Sequence, residues 1–122
     1  MNPVQRTMNY LRQQEGCICT VVEKWNQYIR AGHGGRQDLF GIIDILVLDP
    51  ERGFIGIQAC GTDYAKHLRK LTEERTQECI DWLSTPGGCL EVWGWRKVKL
   101  HRGGIAKRWS PRIRVFKLEE FR

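Results

Sequence analysis

The sequence predicts a single α/β domain over residues 1–122, a mixed β-sheet flanked by helices in the order α-β-β-β-α-β-β. Three observations lead there. A chain of 122 residues accommodates one hydrophobic core and no second folding unit. Its 41% hydrophobic and 28% charged residues are ordinary globular composition, far from the signature of disorder. Apolar residues recur at helical spacing in two segments and in short β-branched runs elsewhere, with glycine and proline punctuating the joints.

Taken in order, Asn2-Pro3 offers an N-cap and a first-turn proline, and Val4, Met8 and Leu11 then recur at helical spacing until Gly16. Residues 17–25, rich in β-branched and apolar side chains, predict a strand. Glycine is concentrated over 31–36, which predicts a mobile loop. A buried strand is expected over 39–48, a turn at 49–53 around Asp49-Pro50, and another apolar strand over 54–60. Thr62 or Gly61 can cap a helix carrying Asp63 in its first turn. Ala65, Leu68, Leu71, Cys79 and Trp82 give that helix its apolar stripe, and Pro86-Gly87-Gly88 ends it. Strands over 90–100 and 113–118 close the order around a turn at 101–104.

The longest apolar run, near 42–48, is interrupted by Asp44 and is far short of the roughly 20 residues that cross a bilayer. The N-terminal stretch is polar and lacks the apolar segment of a secretory signal, so no membrane role and a cytoplasmic location are expected. The five cysteines, Cys17, Cys19, Cys60, Cys79 and Cys89, are an odd number at irregular spacing, unlike a secreted disulfide framework. Zinc is the sharper alternative, but Cys17-x-Cys19 is the one close pair and falls short of the usual ligand pattern.

If the strands around the 49–53 turn form a hairpin, opposed residues have numbers summing to about 102. Asp44 then faces Gln58, with Cys60 two residues further on the same face and Ile43, Ile45 and Val47 on the other. A carboxylate in an apolar strand is costly unless it is paired, hydrogen-bonded or bound to a cation. Asp44 is therefore either a functional misfit or a structural one, capping a neighbouring backbone group or paired with a side chain such as Arg36 while Gln58 completes a polar pocket.

Asp38-Leu39-Phe40-Gly41-Ile42-Ile43-Asp44, followed after a turn by Gly56-Ile57-Gln58-Ala59-Cys60 and a helix bearing Lys and Arg, resembles the core of the PD-(D/E)XK nuclease superfamily. It is closest to the small Holliday-junction-resolvase-like and virus-type replication-repair nuclease branches, in which Gln can replace the acidic residue of the third-strand motif. By motif the likeness covers 38–70. It implies a restriction-endonuclease-like core, with Asp44 as the metal-binding aspartate, Gln58 at the acidic position and the Ala59 carbonyl as a further ligand. Glu23, or Glu15, would supply an upstream glutamate. The implied cofactor is Mg²⁺ or Mn²⁺, held by oxygen ligands, and the implied reaction is phosphodiester cleavage. Resolvase-like relatives commonly act as homodimers, and an isolated small domain of this kind suggests phage or mobile-element origin.

The sequence departs from that pattern at Cys60, which stands where the superfamily places lysine. A thiol cannot supply an ammonium's charge to a phosphate. Either the cation has moved, with Lys66, Arg69 or Lys70 on the following helix as candidates, or the protein binds DNA or a protein partner without cutting. Asp38 is open to two readings, a second metal carboxylate or a loop partner of Arg36, and the loop role is the expectation. His33, among glycines, is expected to be an exposed loop histidine.

The net charge of +6 is local: 1–95 hold ten Lys/Arg against twelve Asp/Glu, whereas 96–117 hold nine basic residues and no acidic one. In the C-terminal hairpin over 89–119, Arg96, Lys97, Lys99, Arg102, Lys107, Arg108, Arg112 and Arg114 interleave with Trp95 and Trp109. With Arg36 they are the expected contacts to DNA, the basic groups on phosphates and the indoles on bases. The alternative is a hairpin whose tryptophans are core and whose charges are merely solvated.

Overall fold

The structure, a computed structural model, describes residues 1–121; the side chains of Gln14 and Glu15 lie outside the described set. The expected upstream candidate Glu15 is thus outside it.

Helix α1 (Pro3–Tyr10) starts at Asn2, whose side chain accepts from the Gln5 N–H at 2.8 Å while the Gln5 side chain accepts from the Asn2 N–H at 3.3 Å. Such a reciprocal cap stabilises a helix start by about 1 kcal/mol. One π turn (Leu11–Glu15) and Gly16 at φ +63° end the element and release the chain into β1 (Ile18–Val21). A small antiparallel ribbon, β2 (Lys24–Asn26) with β3 (Gly35–Gln37), follows. Then come β4 (Ile45–Asp49), β5 (Gly53–Cys60), a helical layer of α2 (Tyr64–Arg69), a π turn (Lys70–Glu74) and α3 (Thr76–Ser84), and the long strands β6 (Gly88–Lys99) and β7 (Lys107–Phe116). A 3₁₀ turn (Leu118–Phe121) closes the chain.

Five strands form one mixed sheet in the order β1-β4-β5-β6-β7, antiparallel except for the β5–β6 pair. The two parallel strands are joined by the helical layer, as a parallel pair requires a crossover connection. One sheet face buries Ile45, Val47, Ile55, Ile57, Ala59, Trp93 and Trp95 with Met8 and Leu11 from the α1 segment. There Trp95 Nε1 donates to Thr7 Oγ1 at 2.8 Å, and Tyr10 meets Trp93 and Trp95 edge-on. The opposite face packs Leu71 and Cys79 of the helical layer on Cys60, Leu90, Val92 and Phe116. Each large apolar side chain buried this way stabilises the fold by about 1.5–3 kcal/mol.

The mixed sheet between helices is the expected architecture, and the β4–β5 register, Ile45↔Ile57 to Asp49↔Gly53, matches the expected sum of 102. Three expectations are corrected. The strand over 17–25 is broken at Val22 and Glu23, where the chain leaves the sheet to build the β2–β3 ribbon, an element the glycine-rich stretch had concealed. The strand over 39–48 begins only at Ile45. Phe40 and Gly41, at φ +55° and +75°, instead fold 38–43 into a tight turn bridged by Leu39 and Ile43. Ile43 consequently packs with Cys60 and Leu71, over the face that Gly56 leaves bare, and not with Ile45 and Val47. Finally, β7 starts six residues before 113, and Pro111 is tolerated in it because β7 is an edge strand.

Among the described residues, no helix is long and apolar enough to cross a membrane, and the cysteines form no disulfide.

Candidate metal centre and basic face

Asp44 sits where β4 has not yet begun and β5 still runs on. Its backbone ties two elements together, the N–H donating to the Ile57 carbonyl at 2.9 Å and the carbonyl accepting from Val22 N at 2.8 Å. With no β4 residue opposite, the Ala59 N–H turns to the Asp44 carboxyl, donating to Oδ2 at 2.9 Å. The β2–β3 ribbon carries Glu23 at its entrance and Asp38 at its exit to the same spot. Carboxyl oxygens of Glu23, Asp38 and Asp44 all lie within 4.8 Å of one another.

From the other side comes the helical layer. Lys70 Nζ donates to Asp38 Oδ2 at 2.9 Å and to Gln58 Oε1 at 3.1 Å. Gln58, fully buried on β5, donates through Nε2 to Asp38 Oδ2 and to the Ile42 carbonyl, both at 3.0 Å. Those two acceptors fix the amide orientation, so Oε1 points at Lys70 and at His67 Nδ1, 3.0 Å away.

Crowding of like charges sets the ionisation. Burial, the Asp38 hydrogen bond and the Asp38 charge push the Asp44 carboxyl up to about 9, against the single Ala59 N–H. Burial also raises Asp38, but hydrogen bonds from Asp44, Lys70 and Gln58 outweigh it and hold Asp38 down to about 2. Burial raises Glu23 as well, offset in part by Arg36, which pairs with it at 3.6 Å. Without a cation, then, Asp44 keeps a proton and donates it to Asp38. An all-oxygen set of three carboxylates that cannot all ionise together suits a hard divalent ion such as Mg²⁺ or Mn²⁺.

Of the residues singled out in the sequence, Asp44, Gln58, Glu23 and Lys70 are brought together. Lys66 and Arg69 are exposed on α2 and, among the described residues, make no bond to the cluster. Ala59 contributes its N–H to Asp44, and the Gln58 oxygen faces Lys70 and His67, so the third carboxylate position is filled by Asp38. The expected Asp38–Arg36 pair does not form, since Lys70 takes Asp38 and Glu23 takes Arg36. His33 is exposed in its loop. Cys60 is buried with Sγ donating to the Trp93 carbonyl at 3.6 Å, and burial, then the Asp63 and Asp44 charges, push its thiol up to about 12.

Family models, curated proteins and solved structures return no match to this chain.

His67 escaped the sequence reading. Its signal was the helical spacing of Asp63, His67 and Lys70, which sets three polar side chains on one face of an otherwise half-apolar element.

The β6–β7 pairing divides the basic hairpin between two faces. Arg96, Arg108, Arg112 and Arg114 lie on the side of the helical layer; Lys97, Lys99, Lys107 and Trp109 lie on the side of α1, and Arg102 is exposed in the connecting turn. The Arg112 guanidinium stacks over Tyr64 at 3.9 Å, and Arg6 over the half-exposed Trp109 at 3.8 Å. Arg114 is engaged by Glu120. Trp95 is corrected outright: at 4% exposure, bonded to Thr7, it is core and presents no ring for a base.

Proposed function

We propose that this chain is a Mg²⁺-dependent, PD-(D/E)XK-like endonuclease that cleaves phosphodiester bonds in DNA, branched DNA included. The observation that carries the reading is Lys70. Its ammonium lies 2.9 Å from Asp38 and 3.1 Å from Gln58, beside three clustered carboxylates. On this reading Lys70, in the turn that follows α2, takes the part of the cation missing from the strand position of Cys60. The antiparallel β4–β5 hairpin, the helical crossover and the parallel β5–β6 pair bring Lys70 and Gln58 to the carboxylates.

Glu23, Asp38 and Asp44 would hold the ion, which supplies charge stabilisation at phosphate and activation of water. The chain's own residues do the rest. An ammonium has three N–H donors, and Asp38 and Gln58 occupy two on Lys70, leaving one for a phosphate oxygen. Gln58 fixes Lys70 and Asp38 relative to each other. The exposed basic side chains of β6–β7 offer phosphate contacts with counterion release.

The test is incubation with branched, duplex and single-stranded DNA, with and without Mg²⁺ or Mn²⁺. Metal-dependent products that vanish in Asp44→Ala support the reading, and sedimentation of the protein–DNA complex reports whether two copies act together. Tight, salt-sensitive binding without products favours the second reading, a nuclease-like fold that binds without cutting, to which Cys60 in the lysine position points.

A further inference from the structure

A second cluster lies across Gln58 from the carboxylates. Cys60 ends β5, Asp63 precedes α2, and His67 lies one turn into it, and one donor atom of each falls within 4.8 Å of the other two. Cys60 is 2% exposed, whereas the side chains of His67 and Asp63 are 23% and 52% exposed, so the cluster has an inner thiol and an open outer rim.

Hydrogen bonding fixes what His67 offers. Because the Gln58 amide nitrogen is committed to the Ile42 carbonyl and Asp38, its oxygen faces His67 Nδ1, and Nδ1 must be the donor. The proton of a neutral imidazole is thus accounted for. Nε2 then turns a lone pair toward Asp63 Oδ2 at 3.0 Å, an acceptor facing an acceptor. Only a second proton or a cation reconciles the two. An imidazole whose far nitrogen is anchored by a neighbouring oxygen, with its free nitrogen aimed at a shared point, is the usual arrangement of a metal-ligating histidine.

We propose that Cys60 Sγ, His67 Nε2 and one Asp63 oxygen bind a borderline-soft divalent cation of the Zn²⁺ type. Water completes a tetrahedral shell, and the Cys60 thiol proton is released to solvent on binding. In a tetrahedral zinc shell, ligand atoms sit roughly 3.3–3.8 Å apart, so the 3.0 Å between His67 Nε2 and Asp63 Oδ2 opens slightly on binding, while both stay within 4.8 Å of the Cys60 sulfur. The thiolate and imidazole select Zn²⁺ or Co²⁺ over Mg²⁺, which needs oxygen. Two chemically distinct cation sites thus flank Gln58, and this one stands independently of the DNA-cleavage reading.

Co²⁺ titration of the intact protein tests it. One equivalent is expected to give thiolate-to-cobalt charge-transfer absorption with tetrahedral d–d bands. Zn²⁺ displaces them, and a hundredfold excess of Mg²⁺ does not. Cys60→Ser should abolish the charge-transfer band and His67→Asn should weaken Co²⁺ binding at least tenfold. The double variant Cys17→Ser/Cys19→Ser and Asp44→Asn should both retain the band. No band in the folded wild type, a band that survives Cys60→Ser, or one lost with Cys17 and Cys19 overturns the proposal. If Cys60→Ser fails to fold, unchanged Co²⁺ affinity in His67→Asn overturns it. Loss of cleavage in Asp44→Asn with the band intact separates this site from the carboxylate centre.

Discussion

Replacing Asp44 with asparagine should stabilise the protein while disabling its carboxylate centre. The folded chain titrates Asp44 at about 9 against an ordinary 3.8, so at pH 7 it holds a proton that the unfolded chain has released. Holding it costs about 1.4 kcal/mol for each pH unit above the ordinary value, roughly 4 kcal/mol at neutrality. An amide has the carboxylic acid's shape, can donate to Asp38 and accept from the Ala59 N–H, and carries no such cost. Allowing about 1 kcal/mol for imperfect fit, Asp44→Asn should gain on the order of 3 kcal/mol at pH 7, near 10 °C in Tm. The sign follows from proton counts. Between the two values the native state binds more protons than the unfolded one, so wild-type stability falls as pH rises through that window and the variant's advantage grows. Toward pH 4 the unfolded state also takes up the proton in part, and most of the advantage should disappear. Thermal and urea melts at pH 4, 5.5 and 7 measure it. A variant less stable than wild type at pH 7, or an advantage that does not change with pH, would refute the charge-crowding explanation.

Lys70→Met should lower Mg²⁺-dependent DNA cleavage by about 10²–10³-fold, whereas the double variant Lys66→Ala/Arg69→Ala should stay within a few-fold of wild type; equal losses in the two would remove Lys70 from its role. Replacing Arg96, Arg108 and Arg112 together by alanine should reduce the slope of log affinity for DNA against log salt by about 2–3, since each lost phosphate contact contributes about 0.9; an unchanged slope would place the DNA elsewhere. Thr7→Val leaves the buried Trp95 indole N–H without its 2.8 Å acceptor, so urea unfolding should show a loss of about 1–3 kcal/mol, and no loss would mean that the bond does not anchor α1.

Local signals were sufficient for much of the fold. The Asn2-Pro3 cap, the 49–53 turn and the β4–β5 register follow from nearest-neighbour chemistry, and the structure reproduces them. What escaped depends on tertiary placement. Over 31–36, where glycine predicts a loop, nothing local marks the second arm of a two-stranded ribbon, and nothing over 17–25 marks where one strand leaves the sheet and another begins. That ribbon is what carries Glu23 and Asp38 to Asp44. Asp38 therefore read as a loop partner of Arg36, when the ribbon's geometry gives Arg36 to Glu23 and Asp38 to Lys70. Choosing Lys70 from three helical cations required knowing which face of the layer meets Gln58. Trp95 was misassigned because alternation with basic residues in β6 looks alike from either face; only the α1 cover decides which face is buried.

Diffraction from crystals soaked in Mn²⁺, with data collected at the manganese edge, addresses the carboxylate centre without reference to substrate. An anomalous peak within coordination distance of Glu23, Asp38 and Asp44, absent from Asp44→Asn crystals, is the expected result. A fully soaked wild-type crystal with no peak there, or with manganese bound only elsewhere, would contradict the assignment of those carboxylates as a cation site.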